Sequence, residues 1–444
     1  MKPNARDLAR QVLRRVDEGA YATLALSGEI ERANLSHPDR ALATEIVYGV
    51  LRLQRRLDFA IASQAPRGIA KLDARVLEAL RIGAYQILFM RVPSHAAVDD
   101  AVNAVKRVRG ATLAGFVNAL LRRLSEKGEP TPPADLRQRL GIRCSAPDWL
   151  VDRALEQFEP DQAERFLESL NTPSPFWIRL NPTRGDAEAL TKLLKEERPW
   201  EGFKVEPGRV EVNPGSALRI SGEEVLHTRA FAEGLFSVQD LAAQWVGSLL
   251  GAQPSDTILD ACGGVGGKAT QLAELTADRA KIDSADLSER KLELGKEQAR
   301  RLGLQSIRFV TADLTRTNSG GLAESYDRVL LDAPCSGLGV LRRHPEAKWR
   351  SAPNIAELAE LQAKILRSVA RRVRLGGVLV YSVCTFTQEE GPAQIERFLR
   401  ENPAFEKDSP PIPAELIADG ALRTWPHRHD ADGFYAARLV RKRS

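Results

Sequence analysis

The stretch TILDACGGVGGK, residues 257–268, limits what this chain can fold into more than any other part of it. An apolar run closing on Asp260 reads as a buried strand. Gly263, Gly264, Gly266 and Gly267 then permit a tight turn that brings backbone close to a ligand. The amphipathic ATQLAEL that follows reads as a helix whose first N–H groups and positive dipole end face the turn, which suits a carboxylate or phosphate. A phosphate-cradling Walker loop, G-x-x-x-x-G-K-[ST], requires Gly where this chain has Cys262 and Ser or Thr where it has Ala269. That reading fails. A nucleoside-type cofactor in a doubly wound sheet remains, and it requires an acid about 20 positions on to bind ribose hydroxyls. Asp286, in KIDSADLSERK, answers it. Asp313, in IRFVTADLT, closes the next strand-like run, where it can hold an adenine amino group.

At 444 residues the chain exceeds one hydrophobic core, so two or three domains are expected. No run of about 18 apolar residues occurs, and MKPNARDLARQ holds no apolar signal core, which argues against a membrane span. The 4 cysteines are widely spaced with no CxxC pair, and the 6 histidines are scattered. Neither a disulfide framework nor a metal site is expected, and a reducing cytoplasm is the default. The net charge of +5 is uneven. Residues 1–130 hold 21 Lys and Arg against 14 Asp and Glu, whereas the remainder holds 43 against 45. A basic N-terminal third is the electrostatic footprint of a nucleic-acid tether.

That third is patterned as helices. Leu8, Val12, Leu13 and Val16 recur at helical spacing, as do Ile46, Val47, Val50, Leu51 and Leu57. Further stripes begin at Leu72 and at Phe116, and Ser94 is placed to cap a helix carrying Val98, Val102 and Val105. Strand patterns are absent, so residues 1–128 are expected to form an all-α domain. A proline-rich break at 129–133 follows. Residues 134–235 read as linker helices and a small α/β module, with PheTrpIleArgLeuAsn (176–181), 203–207 and 209–212 as short strands and 186–197 as a helix. Residues 236–444 read as a Rossmann-like domain with a mostly parallel sheet.

The chemistry falls after the third strand of that domain. YDRVLLDAPCSG (326–337) is an apolar strand ending in Asp332, followed by Pro334 and Cys335. LVYSVCT (379–385) is a second strand with Cys384 at its tip. A parallel α/β sheet places its site at such strand ends. One isolated cysteine is more often a small core residue; two at the tips of two strands, one beside an acid, point to chemistry. A thiolate, an acid and a nucleoside cofactor suit methylation at carbon 5 of a pyrimidine. Attack on carbon 6 makes carbon 5 nucleophilic, and a carboxyl group donating to ring N3 stabilises the developing charge. The thiol must ionise, so cations such as Lys268, Arg342 and Arg343 are wanted nearby.

The motifs carry a resemblance. Residues 39–52, 80–90, 93–98 and 115–122 are similar to the RNA-binding fold of the antiterminator NusB. DAPCSGLGVLRRHPEAKW (332–349) resembles the fourth motif of the bacterial RNA cytosine-5 methyltransferases of the Nol/Nop/Sun group, and the likeness runs essentially end to end. It implies a NusB-like domain joined to a class I methyltransferase that uses S-adenosyl-L-methionine to modify one cytosine of 16S ribosomal RNA, as a cytoplasmic monomer without metal. Arg52, Arg55, Arg56, Lys106, Arg107, Arg109, Arg122 and Arg123 become candidate phosphate contacts. The resemblance also implies Cys384 as nucleophile and Cys335 as the thiol that assists release. On residue logic alone Cys335, in the Pro-Cys position, competes for attack. It further implies cofactor contacts from Cys262, Gly263, Gly264, Val265, Gly266, Gly267 and Lys268, with Lys268 on the methionine carboxylate, Asp286 on the ribose, Asp313 near the adenine and Asp332 near methionine and target base. The chain departs from the family in reading CGGVGGK where Cys-Ala-Ala-Pro-Gly-Gly-Lys is usual, and Val383 where Thr is usual. The extra glycines predict a looser empty loop and put cofactor affinity, not identity, in question. An NAD-linked dehydrogenase on the same fold leaves both cysteines unexplained; an RNA-binding factor that has lost activity is the non-enzymatic alternative.

Overall fold

A computed structural model describes residues 4–197, 205–207, 217–220, 223–316, 320–409 and 412–442. The chain divides into two compact units, Met1–Pro173 with Leu341–Ala352, and Ser174–Val340 with Pro353–Ser444.

The first unit is helical. Its first six helices run Ala5–Asp17, Ala22–Ala33, His37–Gln64, Ala74–Phe89, Ser94–Arg109 and Ala111–Lys127. The expected stripes are their buried faces: Leu8, Val12, Ile46, Val50, Leu57, Leu80, Val105, Val117 and Leu120 share one core. Asn4, Ser36 and Asp73 cap three of the helices by accepting backbone N–H bonds. Ser94 does not cap as expected. It already belongs to the helix, and Pro93 holds the N-cap position without a side-chain bond. Helices Leu136–Arg143, Asp148–Gln157 and Pro160–Ser169 complete the unit.

The segment 341–352 belongs to this helical unit by its contacts. Lys348, 1% exposed, donates through Nζ to the carbonyls of Arg52 (3.0 Å) and Ser145 (3.1 Å) and to Asn171 Oδ1 (2.7 Å). Burial, with the Arg52 charge adding to it, pushes the Lys348 ammonium down to about 7. Trp349 Nε1 donates to Leu51 O at 2.6 Å, and Ala22 N donates to Glu346 Oε1 at 3.1 Å. The motif read as one stretch over 332–349 is thus shared between the units: its first part carries Cys335, its second is structural. Several candidate phosphate contacts are engaged within the helical unit. Arg55 pairs with Asp148, Arg56 with Glu129, Arg107 with Asp7 and Arg109 with Asp73.

The second unit holds two sheets. Strands β1 (Phe176–Leu180), β2 (Val205–Pro207), β3 (Ala217–Ile220) and β4 (Phe236–Val238) form an antiparallel sheet in the order β2-β3-β1-β4. The strand expected at 209–212 lies outside the described residues. Strands β5 (Thr257–Ala261), β6 (Lys281–Asp286), β7 (Ile307–Thr311), β8 (Tyr326–Asp332) and β9 (Val373–Val383) are parallel. Beyond β9 the chain adds β10 (Phe405–Lys407), β11 (Ile417–Ala418), β12 (Ala421–Arg423) and β13 (Tyr435–Arg441), all antiparallel. The order is β11-β12-β13-β9-β8-β5-β6-β7, with β10 on β13. It reverses between β5 and β8, and ligands of open α/β sheets bind at the strand ends beside that reversal. No helix among the described residues is long and apolar enough to cross a membrane.

Gly49, inside His37–Gln64, exists for close approach: a Cβ there would stand 1.9 Å from Tyr85 Cζ. Gly115, inside Ala111–Lys127, faces open space. Gly49→Ala is expected to destabilise by ~1–3 kcal/mol through overpacking, and Gly115→Ala to stabilise by roughly 0.5–1 kcal/mol through helix propensity. Urea denaturation of the two variants checks this; equal midpoints would contradict the packing.

Candidate active site

Five strand ends or turns converge. At the tip of β5 the backbone turns through Cys262 (φ 60°), Gly264 (φ 57°) and Gly266 (φ 80°), and the helix Gly267–Leu275 begins. Two of these three are glycines because L side chains rarely adopt positive φ. Gly263 N donates to Ala285 O at 2.9 Å, and Gly264 N donates to Asp286 Oδ2 at 3.0 Å. Gly263 is also a point of contact, since a Cβ there would lie 2.2 Å from Ser284 Oγ and 2.5 Å from Asp260 Oδ2. The turn is therefore tied to the end of β6. Asp286 Oδ1 accepts from Ser288 N at 2.8 Å, leaving lone pairs on both oxygens for a diol. Asp313 sits just past β7, where Oδ1 accepts from Thr315 N (3.0 Å) and Thr315 Oγ1 (2.6 Å) and Oδ2 pairs with Arg316 at 3.1 Å. The Thr315 bonds hold its carboxyl below the ordinary value. Val265 is half exposed at the crest of the turn.

The tips of β8 and β9 close the other side. Cys335 Sγ and Cys384 Sγ are 3.2 Å apart. Lys268 Nζ meets Asp332 Oδ2 at 2.5 Å and lies 5.5 Å from the centre of the Phe434 ring. Ser382 Oγ donates to Asp332 Oδ1 at 2.7 Å. Ser382 lies within β9 and Cys384 just past its end, two residues further along the chain. Burial works against the Lys268 charge, but Asp332 and then Asp260 outweigh it, so its ammonium is held above the ordinary value. The Cys384 thiol is pushed well up, first by its hydrogen bond with Cys335, then by burial and the Asp332 charge; Lys268 opposes this. The resting thiol is protonated. Arg342 and Arg343, expected near the thiols, lie in the segment grouped with the helical unit.

Three residues were missed in the sequence. Ser382 had a signal, a lone polar residue two before Cys384 in an apolar strand. Glu390 and Gln362 had none; both are fully buried and tie the Cys335 loop in place. Among the described residues no His/Cys/Asp/Glu cluster fits a metal.

Asp260 is completely buried; Oδ2 accepts from Ser284 Oγ at 3.1 Å and Oδ1 has no partner among the described residues. Burial pushes its carboxyl from 3.8 to about 7. A carboxyl raised in the folded state binds a proton that the unfolded chain has released. Its contribution is therefore fully present below pH 4 and lost as pH rises through about 7. Asp260→Asn removes that loss. The variant should exceed the parent in stability at pH 8 by ~2–4 kcal/mol, at about 1.36 kcal/mol per pKa unit, with the gap closing towards pH 4. Denaturation at both pH values checks it; a pH-independent gap would contradict the assignment.

Comparisons with known proteins cover the whole chain. Residues 248–440 match the family model described as 16S rRNA methyltransferase RsmB/F, residues 3–126 match the NusB family, and residues 146–211 match an RsmF/B-like ferredoxin-like domain. The chain is 38% identical to the ribosomal RNA small subunit methyltransferase B of Thermus thermophilus, over 99% of this chain and 98% of that protein. It is 36% identical to the probable ribosomal RNA small subunit methyltransferase B of Synechocystis, over 98% and 99%. Among solved structures, PH0851 superposes with a TM-score of 0.80 at 27% identity, covering 99% of both chains. NSun6 from Pyrococcus horikoshii with SFG superposes with a TM-score of 0.57 at 22% identity, covering 67% of this chain and 99% of that one.

Proposed function

The chain belongs to the RsmB/F family of 16S ribosomal RNA methyltransferases, and on that premise we propose that it methylates carbon 5 of one cytosine in 16S ribosomal RNA through a covalent cysteine adduct. The observation that carries this reading is the 3.2 Å approach of the Cys335 and Cys384 sulfurs beside the Lys268–Asp332 pair. A structural role for either thiol gives no reason for their meeting past the tips of β8 and β9, beside the glycine turn.

The residues fit S-adenosyl-L-methionine. The turn at Gly263 packs directly against Ser284 and Asp260, Asp286 retains acceptor capacity at the end of β6, and Lys268 stands at the start of the helix for a carboxylate. Cys262 to Lys268 would line one side and Asp313 the adenine end. When bound, the cofactor supplies an electrophilic methyl group. Asp332, now shared between Lys268 and Ser382, is the carboxyl group available to ring N3 of the target base.

Cys384, once deprotonated, adds to C6; the new S–C6 bond moves the C5–C6 electron pair to C5, which would take the methyl while the cofactor's sulfur keeps the electrons of the bond that breaks. Cys335, as a base, removes the C5 proton. The C–H pair re-forms the C5–C6 double bond while the S–C6 bond breaks, returning its electrons to Cys384 sulfur. Splitting the reaction this way assigns attack to the thiol on β9 and release to the thiol after β8. The helical unit, matched by the NusB model, is proposed to hold RNA through phosphate contacts, with exposed Lys106 and Arg122 among the candidates. A ribosomal RNA substrate places the work in the cytoplasm.

Incubation with 16S ribosomal RNA and S-adenosyl-L-methionine, followed by a denaturing gel, separates the roles. Cys335→Ser should accumulate a covalent protein–RNA band with turnover reduced by about 100-fold or more, within the range for loss of an acid–base group. Cys384→Ser should give neither band nor product. Full activity in Cys384→Ser would overturn the mechanism.

A further inference from the structure

We propose that Glu390 is the positioning residue that holds Cys335 in reach of its partner, and so sets the rate of product release. This rests on the covalent reading above. Glu390 is fully buried and its carboxylate accepts four hydrogen bonds. Oε1 takes Ser336 N (2.8 Å) and Gln362 Nε2 (3.0 Å). Oε2 takes Ser336 Oγ (2.6 Å) and Thr387 Oγ1 (2.9 Å). Gln362 Nε2 also reaches Pro334 O at 3.0 Å, so both residues flanking Cys335 are gripped through one carboxylate. On the other side Thr385, the residue after Cys384, meets Ser336 Oγ at 2.9 Å. Tyr381 OH lies 2.6 Å from Glu390 O and 3.1 Å from Gln362 Oε1, fixing the loop to β9 itself.

Burying a carboxylate is costly, and packing alone would be served by an apolar side chain. Three of the four donors belong to the segments that follow the two thiols, and the fourth, Gln362, passes the grip on to Pro334 O, so what the charge holds fixed is the separation of the thiols. Cys384 directly follows β9, which is in register with β8 up to Ser382 and with β13 up to Val383. Cys335 lies in a loop and depends on Glu390. Loosening Glu390 should therefore impair what Cys335 does and spare what Cys384 does.

The two oxygens have different requirements, which gives a graded test. Oε1 faces two N–H donors that cannot reverse, whereas Oε2 faces two hydroxyls that can turn and accept. Glu390→Gln can place its amide oxygen towards the N–H groups and its NH2 towards the hydroxyls, recovering the strap; Glu390→Ala loses all four bonds. With 16S ribosomal RNA, Glu390→Ala is expected to turn over about 10- to 100-fold more slowly, as a misplaced group does. It should accumulate the covalent band and bind S-adenosyl-L-methionine like the parent, while Glu390→Gln recovers most of the loss. If Glu390→Ala does not fold, the double variant Ser336→Ala with Thr387→Val removes the hydroxyl half of the strap and should accumulate the band to a lesser degree. Cys335→Ser runs alongside. If it accumulates the band and the Glu390 and double variants do not, the positioning role is wrong and the covalent reading stands. If Cys335→Ser itself gives no band, the covalent reading fails and the inference falls with it.

Discussion

The Asp332 carboxylate is the joint on which the catalytic unit depends. It ends β8, binds Lys268 from the helix of the glycine turn, and accepts from Ser382 on β9. One side chain thereby ties the glycine turn to the strand that leads into Cys384. The Lys268 side chain is 11% exposed, so the attraction acts where water screens it little. Asp332 also makes the Cys384 thiol harder to ionise while Lys268 makes it easier, and the resting balance keeps it protonated. A ligand carboxylate placed on Lys268 would loosen its hold on Asp332, leaving that carboxyl group free to engage a base.

Much of this was legible in the sequence because strand ends are punctuated. Asp260, Asp286, Asp332 and Cys384 each close or follow an apolar run, and the parallel sheet brings such ends to one edge. The helical stripes were equally readable, since Leu8, Ile46, Leu80 and Leu120 recur with the helix period and are buried. Local chemistry within a turn was harder. Ser94 looked like a cap, but the chain entered the helix one residue earlier, at Pro93. Glu390 and Gln362 lie far from Cys335 along the chain, and nothing in TQEEG or AELQAK marks either as its support.

Long-range partition was also hidden. The stretch 332–349 reads as one motif, yet Lys348 and Trp349 satisfy their donors on Arg52, Ser145, Asn171 and Leu51 of the helical unit, while Cys335 belongs to the second unit. A buried lysine bonded to carbonyls cannot be told from a solvated one by spacing alone; only the tertiary partners decide. The altered glycine turn follows the same rule. At Gly263 the missing side chain leaves room for Ser284 and Asp260 against the turn, a contact that the sequence does not mark.

The central claim is the division of labour between two sulfurs in contact. RNA carrying 5-fluorocytosine at the target position has no C5 proton to surrender, so the unmodified protein should be trapped on it after methyl transfer. Digestion and mass spectrometry of the trapped complex then identify the attached residue. The account predicts nucleotide plus methyl on the peptide containing Cys384; attachment to the peptide containing Cys335, or a methylated product with no attachment, would contradict it.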